Sequence, residues 1–372
     1  VPNETKMPYR DNHTPHLSFF SLESLQKLVG KFEHKFELCF IDTADMLLSE
    51  DSKISELSFK SNTRGKFITR VRSFVKKAIV ASGLYGSFRL IKQIKNIDKI
   101  FQSGSLAEGQ WNKRLEGFVK DLTGSHVSVA TNSNGAGLVA LLSIYRYYFN
   151  RNIVLIQSNT MYGVKTMVPS GGCKLVGFIN CQLESLMPSI QDVKDAISNF
   201  SKEDKNALII LLSHIGGIIN PDIEAITLLC KNENIILLED CAHSFGATLN
   251  NRHSGLFGDA GAYSFYATKA IPAGEGGVVV SNNVELGEII AKFSIYDRFD
   301  QKLEIGNNIR ISEMQALLSF SVVKEWESII DNKIKIANQY IEKCLELNID
   351  HINQNKNGQK GNYYKFIILS KR

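Results

Sequence analysis

Residues Asn234–Ala247 read NIILLEDCAHSFGA. Four apolar residues in a row, Ile235 to Leu238, run directly into two acids, Glu239 and Asp240. A strand that is apolar at successive positions is covered on both faces, as strands of parallel sheets are. A carboxylate at the end of such a strand leaves water and needs a cationic or hydrogen-donating partner. Asp240 therefore reads either as a group that faces a ligand or as a cap on the next segment. His243, three residues on, could reach the same ligand or sit as a satisfied rim histidine.

Six further runs of this kind flank the stretch: HVSVAT, NIVLIQ, CKLVGFI, ALIILLS, AGAYSFY and GGVVVSN. Helical patterns such as GAGLVALLSIYRYY and IEAITLLCKNEN lie between them. Short apolar strands alternating with helices predict an α/β fold, a mainly parallel seven-stranded sheet between helices. In such sheets ligands bind beyond the carboxyl ends of the strands. Past about Ile311 the pattern predicts one long helix over SEMQALLSFSVVKEWESIIDNKIKIANQYIEKCLEL, with a kink as an option.

The strand ends carry the chemistry. HVSVAT is followed by NSNGAG and a helix. The turn Asn132–Gly135 would present free N–H groups at a helix N-terminus, a setting that suits phosphate, although a plain strand–helix turn reads the same way. AGAYSFY leads into Tyr263–Gly277, YSFYATKAIPAGEGG. Ser264 there could bond a phosphate. Lys269 is either a surface lysine or an amine whose pKa a partly apolar, cationic pocket lowers, so that it can form a Schiff base. The glycines of AGEGG let backbone pass close to the site. A phosphate turn, an acid for a pyridinium nitrogen and a lysine for an aldehyde are together the requirements of pyridoxal 5'-phosphate.

The motifs LLEDCAHSFGA, GLFGDAGAYSFYATKAIPAGEGGVVVSNN, SGSLAEGQ and GNNIRISEMQALLS resemble the DegT/DnrJ-type sugar aminotransferases of fold type I, over about residues 91–372. The resemblance implies that Lys269 holds the cofactor as an internal aldimine and shuttles protons, and that Asp240 pairs with the pyridinium nitrogen. It places His243 near the phenolic oxygen, and it puts Ser264 and the turn at Gly135 and Ala136 on the phosphate. Met161, or Tyr162 beside it, falls where the family has an aromatic residue against the ring. Asn308, with Arg310, would reach into a neighbouring subunit's site, which implies a homodimer. The implied reaction is ping-pong transfer of an amino group from an amino acid, glutamate, to a keto sugar linked to a nucleotide. Lys269 favours transamination over the dehydratases of this fold, which carry histidine there. Two departures stand out. The phosphate turn reads Ser133-Asn134-Gly135 where the family has Ser-Gly-Thr, and the family continues beyond YYKFIILSKR, so the small C-terminal domain is expected to be cut short.

Residues 1–50 resemble the tail of a class I S-adenosylmethionine-dependent methyltransferase domain, with a helix over Leu22–Val29 and a strand over Phe36–Asp42. A fused parent chain would follow. The expected organisation is thus 1–50 as this remnant, 51–90 as a basic linker, 91–310 as the cofactor-binding domain and 311–372 as the start of a small domain. Leu57–Ile97 contains no Asp or Glu but ten Lys and Arg. It could touch an anionic membrane surface, but Gly83 and Gly86 interrupt its apolar stripe and favour a linker.

The whole chain, 372 residues with a net charge of +5 and 44% hydrophobic residues, has ordinary globular composition. It shows no spanning run, no leader and no Cys/His metal spacing. It therefore reads as a cytoplasmic protein with reduced thiols, with no metal and no nucleic-acid partner. Two other functions compete. An oxidoreductase with Asp240 on a ribose needs a G-x-G-x-x-G loop upstream, which is absent. A degenerate, non-catalytic scaffold in a glycan-modifying protein would tolerate the altered turn but has no use for Asp240 and Lys269.

Overall fold

The computed structural model describes residues 96–369 and the backbone of strand β1, Phe40–Asp42. The stretch expected to be a methyltransferase remnant (its last strand's backbone apart), the helix expected over Leu22–Val29 and nearly all of the basic segment lie outside the described residues.

All seven apolar runs form strands. In chain order the strands are β2 (Val127–Thr131), β3 (Ile153–Gln157), β4 (Lys174–Ile179), β5 (Leu208–Ser213), β6 (Ile236–Cys241), and the short β7 (Thr248–Leu249) and β8 (Arg252–His253). They continue with β9 (Ala260–Ser264), β10 (Gly277–Ser281), β11 (Asp350–His351), β12 (Gln359–Lys360) and β13 (Lys365–Leu369). One seven-stranded sheet has the order β2-β10-β9-β6-β5-β3-β4. Its pairs are parallel from β4 across to β9, whereas β10 runs antiparallel to both β9 and β2. The start of β10 therefore lies at the same edge as the carboxyl ends of its neighbours. Gly277 pairs with Ser264 on one side and with Thr131 on the other.

Helices cover both faces. They include α1 (Gln110–Thr123), α2 (Asn134–Phe149), α3 (Tyr162–Ser170), α4 (Ile190–Ile197), α5 (Lys202–Ala207), α6 (Ile223–Asn232), α7 (Val284–Phe293), α8 (Glu313–Val323) and α9 (Trp326–Glu346). Strand β5, LIILLS, is buried at all six positions. Its side chains alternate between faces. Ile209 and Leu211 pack with Leu138, Leu141, Val164 and Val168 of α2 and α3. Leu208, Ile210 and Leu212 pack with Val193, Ile197, Ile223 and Ile226 of α4 and α6. Each such side chain contributes about 1.5–3 kcal/mol on burial, which is why the run has no polar break until Ser213.

The long helix expected past Ile311 is two helices, parted at Lys324 and Glu325. The parting lets Trp326 and Ile330 lie on Gly246, which has φ +78° and whose missing Cβ would come within 2.4 Å of Ile330. Glu313, at the head of α8, is buried and accepts the N–H groups of Gly109, Trp111 and Asn112, so it caps α1 from 200 residues away. Beyond α9, β13 pairs with β1 and β11, and β12 extends the β7–β8 hairpin. Among the described residues no helix is long and apolar enough to cross a membrane.

The α1 carboxyl Glu116 accepts the Ala130 N–H of β2 at 2.9 Å, and burial pushes its pKa up to about 7. An unfolded chain titrates this group near 4.5. Unfolding above that pH therefore releases a proton, and Glu116 costs stability progressively as pH rises from 4.5 to 7. Glu116→Gln keeps the acceptor and cannot ionise. We expect it to match the parent in thermal melts at pH 4 and to exceed it by about 2–3 kcal/mol at pH 8.

Candidate active site

Parallel pairing sets Ser213 beside Asp240, and Asp240 beside Ala262, at the carboxyl edge of the sheet. Asp240 is 6% exposed. Its Oδ1 accepts from Asn134 Nδ2 at 3.2 Å and from the Ala242 N–H at 3.1 Å. Its Oδ2 accepts from Ser213 Oγ at 3.0 Å. A carboxylate offers about four acceptor sites, so three are filled by the described residues and one, on Oδ2, is left for a ligand N–H.

The phosphate-type turn is a helix start. Ser133 is the N-cap of α2, and its Oγ accepts the Ala136 N–H at 3.1 Å. The Ala136 donor expected to face an anion is thus already used by the cap, and the Gly135 N–H remains in the first turn for that role. Asn134 is buried because its side chain turns inward, onto Asp240 and the Ala262 carbonyl. β10 passes this turn so closely that a Cβ on Gly277 would lie 2.6 Å from the Asn134 nitrogen. The turn lines a hollow of about 350 Å³, in which Gly135 and Ala136 meet Met167, Phe293 and Asn308. Asn308 is exposed and so shares a surface with the phosphate-type turn of its own chain. Arg310 has a buried guanidinium nitrogen without a hydrogen-bond partner among the described residues and lies 6.0 Å from the Tyr296 ring.

Ser264 closes β9, 6% exposed, and its Oγ accepts the Tyr266 N–H at 3.4 Å. The chain then loops out and returns through Ala267 N–H to Gly274 O and Ala273 N–H to Phe265 O, and this loop carries Lys269. Lys269 is half-buried, with Nζ 5.5 Å from the centroid of the Tyr364 ring. Tyr364 also packs at a tilt against His243, at 4.5 Å between centroids, and has Lys365 Nζ at 4.7 Å. His243 Nδ1 accepts the Gly216 N–H. Burial, then the charges of Lys269 and Lys365, pushes the His243 pKa well below the ordinary imidazole value, so the ring is neutral at pH 7. Met161 and Tyr162 are both exposed, one and two residues beyond Thr160, whose hydroxyl meets Ser213 Oγ at 2.8 Å.

The structure thus gathers Asp240, Ser264 and the Gly135 turn at one sheet edge, with Lys269 and His243 meeting on Tyr364. Sequence reading missed Ser213, Thr160 and Tyr364, and it placed Asn134 in the phosphate-type turn without its bond to Asp240. A further buried cluster, His214, Glu239 and Cys241, has the donor set of a metal site. Glu239, however, is filled: it accepts from Gly255, Phe257 and Gly258 N–H groups and from His214 Nε2, all at 2.7 Å. The cluster ties β6 to the loop after β8. The cysteines are free thiols among the described residues, and burial raises those of Cys173 and Cys344 to about 11 and that of Cys230 to about 12.

The sequence profile of the DegT/DnrJ/EryC1/StrS aminotransferase family matches residues 90–372. The GDP-perosamine synthase of Escherichia coli O157:H7 is 27% identical over 58% of this chain and 58% of its own length. That of Vibrio cholerae is 26% identical over 74% of each. The chain thus spans less than two thirds of the first of these relatives. Among solved structures, Helicobacter pylori PseC, an aminotransferase involved in the biosynthesis of pseudoaminic acid, superposes with a TM-score of 0.66 at 22% identity. The superposition covers 75% of this chain and 74% of that one. Such likeness establishes fold type I for the α/β core.

The depressed His243 pKa has a thermodynamic consequence. The unfolded ring takes up a proton near pH 6.5 and the folded ring only at lower pH, so stability falls as pH drops below 6.5. His243→Gln removes this contribution. In paired thermal melts the parent is expected to lose about 1 kcal/mol relative to the variant between pH 7.5 and 5.5.

Proposed function

The chain belongs to the DegT/DnrJ/EryC1/StrS aminotransferase family, and we propose that it moves an amino group from an amino acid to the carbonyl carbon of a keto sugar. We take glutamate as the donor and a nucleotide-linked sugar as the acceptor. The names of the relatives support a sugar, and the GDP in two of them supports the nucleotide.

The observation that carries the reading is the Asp240 carboxylate. It is buried at a strand end, oriented by three donors and left with one acceptor site. A scaffold has no need of such a group. The cradle around it fits pyridoxal phosphate: an acceptor on Oδ2 for a ring N–H, backbone brought close by Gly277, and an amine on the Lys269 loop that meets His243 at the Tyr364 ring. When bound, that cofactor supplies an aldehyde and an electron sink. The chain's residues then have distinct tasks. Asp240 holds the proton on the ring nitrogen. The Gly135 N–H and Ser264 Oγ bind phosphate oxygens, aided by the positive end of α2. Lys269 would hold the cofactor through its amine at the aldehyde carbon and would carry protons there. His243, neutral, takes one hydrogen bond without adding charge. Met161 packs on the ring face. Asn308 and Arg310 serve a second copy of the chain, in a homodimer.

Incubated with pyridoxal phosphate, the protein is expected to develop a visible absorption band that borohydride fixes on Lys269. Lys269→Ala abolishes both. L-Glutamate bleaches the parent's band and yields one equivalent of 2-oxoglutarate. A band and a borohydride adduct that persist in Lys269→Ala would sink the assignment. Bleaching by other amino acids but not by glutamate would overturn the donor alone.

A further inference from the structure

Ser213 ends a strand, LIILLS, that is otherwise wholly apolar and buried. A hydroxyl placed there must find partners. Its own proton goes to Asp240 Oδ2, since a carboxylate oxygen can only accept it. The 2.8 Å contact with Thr160 must then run the other way, with the Thr160 hydroxyl donating to Ser213 Oγ. The backbone is fixed as well. The Ser213 N–H donates to Gln157 Oε1 at 3.0 Å, and Gln157 Nε2 holds the Asn159 carbonyl at 2.7 Å, next to Thr160. Hydrogen bonds in series reinforce one another in a medium of low dielectric constant.

We infer that Thr160 and Ser213 form a relay that positions Asp240, fixing the rotation of its carboxylate and drawing part of its negative charge away from the ligand-facing site on Oδ2. The relay links the segment that carries Met161 to the acid two strands away. Both are positioning residues that act through Asp240. The inference rests on the reading that Asp240 meets a protonated ring nitrogen. With the relay broken, more of the carboxylate's charge bears on that proton, and the lysine-linked amine retains its own proton to higher pH.

The test uses this chain loaded with pyridoxal phosphate and two measurements: the pH midpoint of the visible band and the cofactor dissociation constant. Removing a hydrogen bond to a charged group by Ser213→Ala should raise the midpoint by about 0.5–1 pH unit and weaken cofactor binding by about 3–10-fold. Thr160→Val, nearly isosteric and at a half-buried site, should shift the midpoint the same way by about half as much, and Thr160→Ser should restore it. Melting of the unloaded Thr160 variants should stay with the parent. The relay is refuted if Ser213→Ala leaves both quantities at the parental value, or if Thr160→Ser shifts the midpoint as far as Thr160→Val. Should Ser213→Ala not fold, the Thr160 pair decides. A parent chain with no lysine-dependent band overturns the cofactor reading itself, and that result is visible before any variant is made.

Discussion

A carboxylate buried at the end of an apolar strand is the constraint around which the candidate site is arranged. Moving an ionised group out of water costs several kcal/mol unless donors replace the lost hydration. Asp240 obtains three, from three separate elements: the first residue of α2, the end of β5 and its own chain two residues on. The demand fixes the relative placement of those elements. It explains an asparagine inside the phosphate-type turn and a serine at the end of a run of aliphatic residues.

The antiparallel strand β10 serves the same edge from the opposite direction. Its first residue passes between β9 and β2 with no room for a side chain against the α2 backbone. The chain from Phe265 to Gly276 is therefore pinned at both ends, by Ser264 and by Gly277, and Lys269 sits on the excursion between them. A long cationic side chain on an unpinned loop would have rotamer freedom to lose on every encounter with a ligand. Here Tyr364 adds a fixed wall, shared by Lys269, His243 and Lys365.

Strands and helices of the α/β core were legible because their signals are local. Seven apolar runs gave seven strands, and Asp240, Ser264 and the turn at Gly135 came out at one edge because they follow strand ends. What escaped reading is tertiary. Thr160 and Ser213 are separated by 53 residues, Asn134 and Asp240 by 106, and no spacing rule connects them. Tyr364 arrives from the C-terminal strand region and carries no motif of its own. The split between α8 and α9 depends on the surface of Gly246, more than 70 residues earlier, whereas the apolar stripe of the helix runs on through the break. Ala136 shows a subtler limit. Its N–H is available by the rule for helix starts, but the side chain of Ser133 takes it.

The acids Glu239 and Asp240 are adjacent in sequence and equally eligible as functional groups. Strand geometry sends them to opposite faces, and lone-pair counting separates their roles. Glu239 has four acceptor sites and four donors, three backbone N–H groups and the His214 ring. The proton on that ring lies on Nε2, because Nδ1 accepts the Asn220 N–H. A carboxylate so filled has nothing left for a metal or a substrate, and it holds β6 to the loop that leads into β9. Asp240 has the same number of sites and one donor fewer. Both acids are buried, and that single open site distinguishes the acid that supports the sheet from the acid that meets a ligand. It also explains how neighbouring residues of one strand can fix the scaffold and serve the chemistry without interfering.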